Sequence, residues 1–156
     1  MSTTRSDRAT TARTAVQKAA LIVAIIFLAV GVAGFIPGIT TSYDTLSIAS
    51  HHSQALLLGL FQVSVLHNIV HLLFGVAGLV AARTFSAARG YLVIGGAVYL
   101  VLFVYGLIVA QDSVANFVPV NPADDILHLV LGVGMIGLGV VLSRRAAAAP
   151  RNAREN

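Results

Sequence analysis

The chain contains no cysteine and no tryptophan among its 156 residues. Without cysteine there can be no disulfide, thiolate metal ligand, thiol nucleophile or covalent haem attachment. Charge is scarce too: only 10% of residues are charged and 57% are hydrophobic, whereas soluble domains carry about 25% charged residues. Lys and Arg are missing altogether from residues 37–54 and 111–122. There is also no Gly-x-Ser-Gly or Gly-x-Ser-x-Gly element, so the sequence offers no serine nucleophile of that kind.

What remains is dominated by four uncharged runs, at residues 19–36, 55–82, 90–110 and 126–143. A membrane-crossing helix needs about 20 apolar residues. The expected fold class is therefore all-α: a polytopic membrane protein, a bundle of four transmembrane helices at 15–36, 55–82, 90–110 and 122–143. These lie in one domain, 15–144, between disordered polar tails at 1–14 and 145–156. The second run exceeds one crossing, which places residues 56–61 at the membrane interface. The breaker pair Pro37-Gly38 ends the first helix. Its apolar run is longer than a signal-peptide core, so it reads as an uncleaved span.

Every basic residue falls in one of three segments: Arg5, Arg8, Arg13 and Lys18; Arg83 and Arg89; and Arg144, Arg145, Arg151 and Arg154. With four spans these segments share one side, and the positive-inside rule makes it cytoplasmic, termini included. The formal charge of +4 is thus a topology signal rather than a nucleic-acid footprint. The expected partners are the lipid bilayer and, at the basic tails, anionic headgroups.

The second and fourth runs also resemble each other. Residues 64–82, SVLHNIVHLLFGVAGLVAA, and 121–139, NPADDILHLVLGVGMIGLG, align without a gap at a shift of 57 positions. Ile69 then falls on Ile126, His71 on His128, Leu72 on Leu129, Gly75 on Gly132 and Val76 on Val133. The pattern suggests two helical hairpins related as a parallel internal repeat, although helices 1 and 3 show no convincing alignment.

Residues three and four apart share a helix face. In helix 2, Ser64, His67, Asn68, His71, Gly75, Gly78 and Ala82 form one stripe. In helix 4, Asn121, Asp124, Asp125, His128, Gly132, Met135 and Gly139 repeat it. Small residues allow close helix contact and polar groups bond across it, so the two stripes are expected to face each other. That would gather His67, Asn68, His71, Asp125 and His128 in the outer half of the membrane.

Asn121, Pro122 and Asp124 read as a helix start: cap residue, proline at the first position, acid at the third. For the cluster three readings stay open. Its members hydrogen-bond between helices. Or His67, His71 and His128, with Asp125, hold a transition metal, or His71 and His128 ligate haem b. Or the titratable groups form part of a proton or small-solute path, which the Gly, Ala and Met of the inner half would interrupt. The leading functional expectation is a non-enzymatic structural or accessory subunit, assembling with itself or with other membrane proteins. A small metal- or haem-binding redox protein is the alternative.

The stretches LHNIVHLLFGVAG and NPADDILHLVLGVG, within four spans and a basic tail, resemble the bacterial family of domain of unknown function 4383, over roughly residues 18–142. The resemblance implies a four-helix integral protein of the bacterial plasma membrane with no activity assigned. The chain is more weakly similar to the rhomboid-like superfamily and its His-rich HLLFN-type stretch. Here Gly75 replaces the Asn and the catalytic serine motif is missing, which implies a non-catalytic relative at most.

Overall fold

The computed structural model describes residues 12–148; the tail assignments at residues 1–11 and 149–156 lie outside them. The described chain is mostly helical, with α1 (Ala15–Ala33), α2 (Val65–Ala81), α3 (Phe85–Ile108) and α4 (Pro122–Ala148). Helices α1, α3 and α4 are long and apolar enough to cross a membrane; α2, at 17 residues, is shorter. Large aliphatic side chains point outward from the helices, as at Ile22, Leu73, Ile94 and Val130, each about 60% exposed or more. Their inward faces carry smaller or aromatic residues, among them Ala20, Ala24, Phe27, Leu92 and Tyr99. Such an arrangement suits a lipid environment and a multi-pass membrane protein.

Local chemistry sets the helix starts. Thr14 and Gln17 form a reciprocal capping box at α1. The Ser64 and Thr84 hydroxyls accept from the amides of His67 (3.1 Å) and Ala87 (3.3 Å), opening α2 and α3. These caps account for two boundaries that hydropathy misplaces. Helix α3 begins at Phe85 rather than at 90, because Thr84 caps it as soon as the α2–α3 turn is complete. Helix α2 begins at Val65 rather than at 55. At the remaining ends, α1 stops at Ala33, four residues before Pro37, and α4 runs beyond 143, because Arg and Ala are strong helix formers.

The segment before α2 corrects the all-α expectation. Strands β1 (Thr40–Thr41), β2 (Leu56–Leu57) and β3 (Phe61–Gln62) form an antiparallel sheet in the order β1-β2-β3, with Leu57 opposite Thr40 and Phe61. Leu58 (φ 55°) and Gly59 (φ 69°) turn the chain between β2 and β3. An uncharged run alone does not distinguish a buried hairpin from a helix. Gly59, which takes the left-handed conformation at no steric cost, and the Ser64 cap are the features that decide it.

Helix packing follows the chain: α1 packs on α2 and α3 on α4, with lesser contacts between the two hairpins. The contact surfaces within the hairpins correspond. A Cβ added to Gly75 would meet Leu28 and lie 3.0 Å from the Ala24 carbonyl oxygen. One added to Gly132 would meet Leu100 and lie 3.0 Å from that of Gly96. At the end carrying Arg83, the Gln17 side-chain amide donates to the carbonyls of Ala82 (3.2 Å) and Arg83 (3.0 Å), fastening α1 to the last turn of α2.

Candidate functional site

The small faces of α2 and α4 are thus spent inside their own hairpins, so the expected pairing of the two stripes is corrected: α1 and α3 take the glycines. The polar members of the stripes then part company. Asn68 is buried against α1, its amide filling the space above Gly34. Asp125 makes the matching contact in the other hairpin, its carboxylate over Gly106 of α3. Asn68 Nδ2 and Asp125 Oδ1 are buried with no hydrogen-bond partner.

The three histidines do converge. His67, His71 and His128 are 7%, 7% and 3% exposed, and all three line two adjoining cavities. The first, of about 280 Å³, continues between Leu66 and Val70 of α2 and Val98 and Leu102 of α3, with Tyr99, Phe117 and Val118. The second, of about 190 Å³, lies toward α1 and the sheet, walled by Val30, Leu57, Leu58, Phe61 and Val63. The imidazoles form the wall common to both.

Aromatic contacts fix this wall. His71 packs on Phe27 of α1 with ring centroids 5.5 Å apart, and His128 packs on Tyr99 of α3 at 5.4 Å. Phe27 and Tyr99 stack on each other at 5.4 Å and 25°. Phe74 lies edge-on to both. Phe27 and Tyr99 are the site residues that sequence reasoning missed. A signal existed at a different shift: with 27 set on 99, Ile22 falls on Ile94, Leu28 on Leu100, Val32 on Val104 and Gly34 on Gly106. That shift of 72 differs from the 57 that sets residues 64–82 on 121–139, and the connection within the first hairpin is the longer one and holds the sheet.

The His67 and His71 rings stack at 4.5 Å and only 8° from parallel. His71 Nδ1 donates to the His67 carbonyl at 3.0 Å, which leaves Nε2 as the acceptor of a neutral ring. Metal chelation by an i,i+4 pair needs ring nitrogens converging on one point, and parallel stacked rings do not supply that. Among the described residues no group of three or more His, Cys, Asp or Glu side chains is placed to hold a metal ion. His67, His71 and His128 therefore meet around a shared cavity wall and not as a ligand cage. Haem b fits no better, since aromatic rings pack against both candidate axial imidazoles, Phe27 on His71 and Tyr99 on His128.

Asp124 and Asn121 lie at the start of α4. The Asn121 Oδ1 accepts from the amides of Ala123 (2.9 Å) and Asp124 (3.0 Å), and Asp124 Oδ2 accepts from the Asn121 amide (2.9 Å). The same Oδ2 accepts from the Gln62 amide of β3 at 3.0 Å, while the Asn121 side chain donates to the Leu60 carbonyl at 2.8 Å. Gln62 in turn donates to the Ser53 carbonyl at 2.6 Å. The start of α4 therefore carries the sheet over the histidines. Gln62 of β3 and Ser53 of the loop before β2 are polar, uncharged residues that no sequence pattern sets apart. His51 and His52 pack on each other with tilted rings, centroids 4.0 Å apart, and line neither cavity.

Compared with known families, residues 17–141 match a family whose description reads "Domain of unknown function". No curated protein and no solved structure matches the chain, so the rhomboid-like similarity gains no support.

Proposed function

We propose a function for this chain, which belongs to the family of domain of unknown function DUF4383, as a non-enzymatic accessory protein of the bacterial plasma membrane. It crosses the bilayer four times, as two hairpins inserted in the same sense, and its two buried imidazole–aromatic pairs join those hairpins. Arg13, Lys18, Arg83, Arg89, Arg144 and Arg145 face the cytoplasm against anionic headgroups, and the sheet and the 109–121 connection lie outside. The outward aliphatic faces meet lipid or neighbouring membrane proteins.

One observation carries this reading: the hairpins make corresponding contacts around a shared centre. His71 on Phe27 answers His128 on Tyr99, Gly75 on Ala24 answers Gly132 on Gly96, and Asn68 on Gly34 answers Asp125 on Gly106. Ser64 and Asn121, the two caps, stand at equivalent places, as do the buried Val16 and Ala88. A parallel repeat of this kind places α2 in the role of α4. Its 17 residues rise about 25 Å, at the short end of a span, and it lies along α1 within the same layer.

The absence of cysteine makes the test direct. Single substitutions Asp44→Cys, Ser86→Cys and Asp112→Cys are introduced in bacterial cells expressing the protein. A membrane-impermeant maleimide is expected to label positions 44 and 112 in intact cells, and position 86 only after permeabilisation. Labelling of 44 and 112 from opposite sides would remove α2 as a span and the reading with it.

A further inference from the structure

The larger cavity has properties that cementing two hairpins does not require. Its walls are apolar except for imidazoles and one phenol ring. Two buried ring nitrogens on that wall, His67 Nδ1 and His128 Nδ1, have no hydrogen-bond partner. Unsatisfied buried polar atoms of this kind each cost about 1–3 kcal/mol and call for an explanation. The mouth lies between α2 and α3, at Val70 (46% exposed), Val98 (43%) and Phe117 (56%). Val70 and Val98 belong to the faces that the membrane reading assigns to hydrocarbon, and Phe117 to the outer connection beside them.

From these features we infer that the His67–His71–His128 cavity binds the head of an uncharged, lipid-soluble quinone, entering sideways between α2 and α3 with its tail left in the bilayer. Four observations converge on that class. The volume of about 280 Å³ accommodates a ring but not a long chain. The parallel His67 and His71 rings, with Tyr99 and Phe117, give flat surfaces to a planar head. The unpartnered His128 Nδ1 offers a hydrogen bond to a carbonyl oxygen, that imidazole being free to present the tautomer that donates. No Lys or Arg lines the cavity and the nearby Asp124 carboxylate is committed to the Asn121 and Gln62 amides, so a charged head such as a fatty-acid carboxylate would be buried without a counter-ion. The inference rests on the membrane reading only for the position of the mouth.

The test uses the full chain in lipid nanodiscs with decyl-ubiquinone as probe, oleate as the charged control and 1-decanol as the hydroxyl control. Saturable retention of decyl-ubiquinone at one per chain, with a raised melting temperature, is expected, and neither control should compete. His128→Ala should weaken retention about tenfold, the scale of a lost buried hydrogen bond. Val98→Trp, which fills the mouth from the lipid side, should abolish retention while leaving the melting temperature without ligand unchanged. Non-saturable partitioning, or retention unaffected by Val98→Trp, overturns the inference, as does equal competition by 1-decanol or oleate. Any of these can fail while the maleimide labelling still gives four spans, so the two readings stand or fall separately.

Discussion

Gly34 and Gly106 show how one missing methyl group decides where a polar side chain goes. Gly34 has an ordinary helical backbone, φ −61° and ψ −18°, so its value lies wholly in the space it leaves for Asn68. Gly34→Ala would drive a Cβ into an amide that is 1% exposed and has nowhere to retreat. A loss of about 1–3 kcal/mol is expected, read as a lower melting temperature in detergent. Asn68→Ala in the same chain should recover part of it, the mark of two residues in contact. Gly106→Ala should cost less, because Asp125 is only half-buried and its carboxylate can swing outward. Equal losses at the two glycines would contradict this account.

At the scale of elements, the start of α4 and the β2–β3 hairpin form one unit through Asp124. Its Oδ2 is the acceptor for the amide of Asn121, just before its own helix, and for one on β3, so Asp124→Ala strands two donors at once. That substitution should cost about 2–4 kcal/mol, taking 1–2 for each donor. It should also speed amide hydrogen exchange at Gln62, whereas Asp124→Asn, which keeps an acceptor, should cost less than half as much. The α4 cap was legible beforehand because Asn, Pro and Asp at the required spacing have a local physical meaning. The sheet was not. Residues 55–63 are apolar in either conformation, and what excludes the helix is the long-range pairing of Leu56 and Leu57 with Thr41 and Thr40. The imidazoles of the site were legible as buried polar groups in an apolar helix, but the partners of Asn68 and Asp125 were not. The sequence pattern puts the glycines on the same stripe as the histidines, and only the observed helix pairing shows that the stripe is wide enough to face two neighbours.

For the whole molecule, the two hairpins meet through one buried cluster that joins Val16, Ala20 and Phe27 of the first to Ala88, Leu92, Tyr99 and Met135 of the second, with the aromatic stack as part of it. In lipid the unfolded reference is also surrounded by hydrocarbon, so burial brings little transfer energy and contact between surfaces carries the stability. Phe27 touches His71, Phe74 and Tyr99 together. Phe27→Ala should therefore cost about 1–3 kcal/mol through the cavity it leaves, less than the same change in a water-soluble core. It should also loosen one hairpin against the other, which a spin-label distance between α1 and α4 would register as a broadened distribution. An unaltered distribution would place the join elsewhere.

Leu58 holds a left-handed backbone, φ 55°, that a leucine adopts only at a cost of order 1 kcal/mol. Its amide is tied to the Ile39 carbonyl at 2.8 Å, yet its side chain is 71% exposed and also walls the smaller chamber. The ceiling over the histidines is consequently under tension: releasing the Leu58–Ile39 clasp lets a strained linkage relax, which lowers the energy needed to lift that corner. Thermal breathing of the outer face should begin there, well before any helix pair separates.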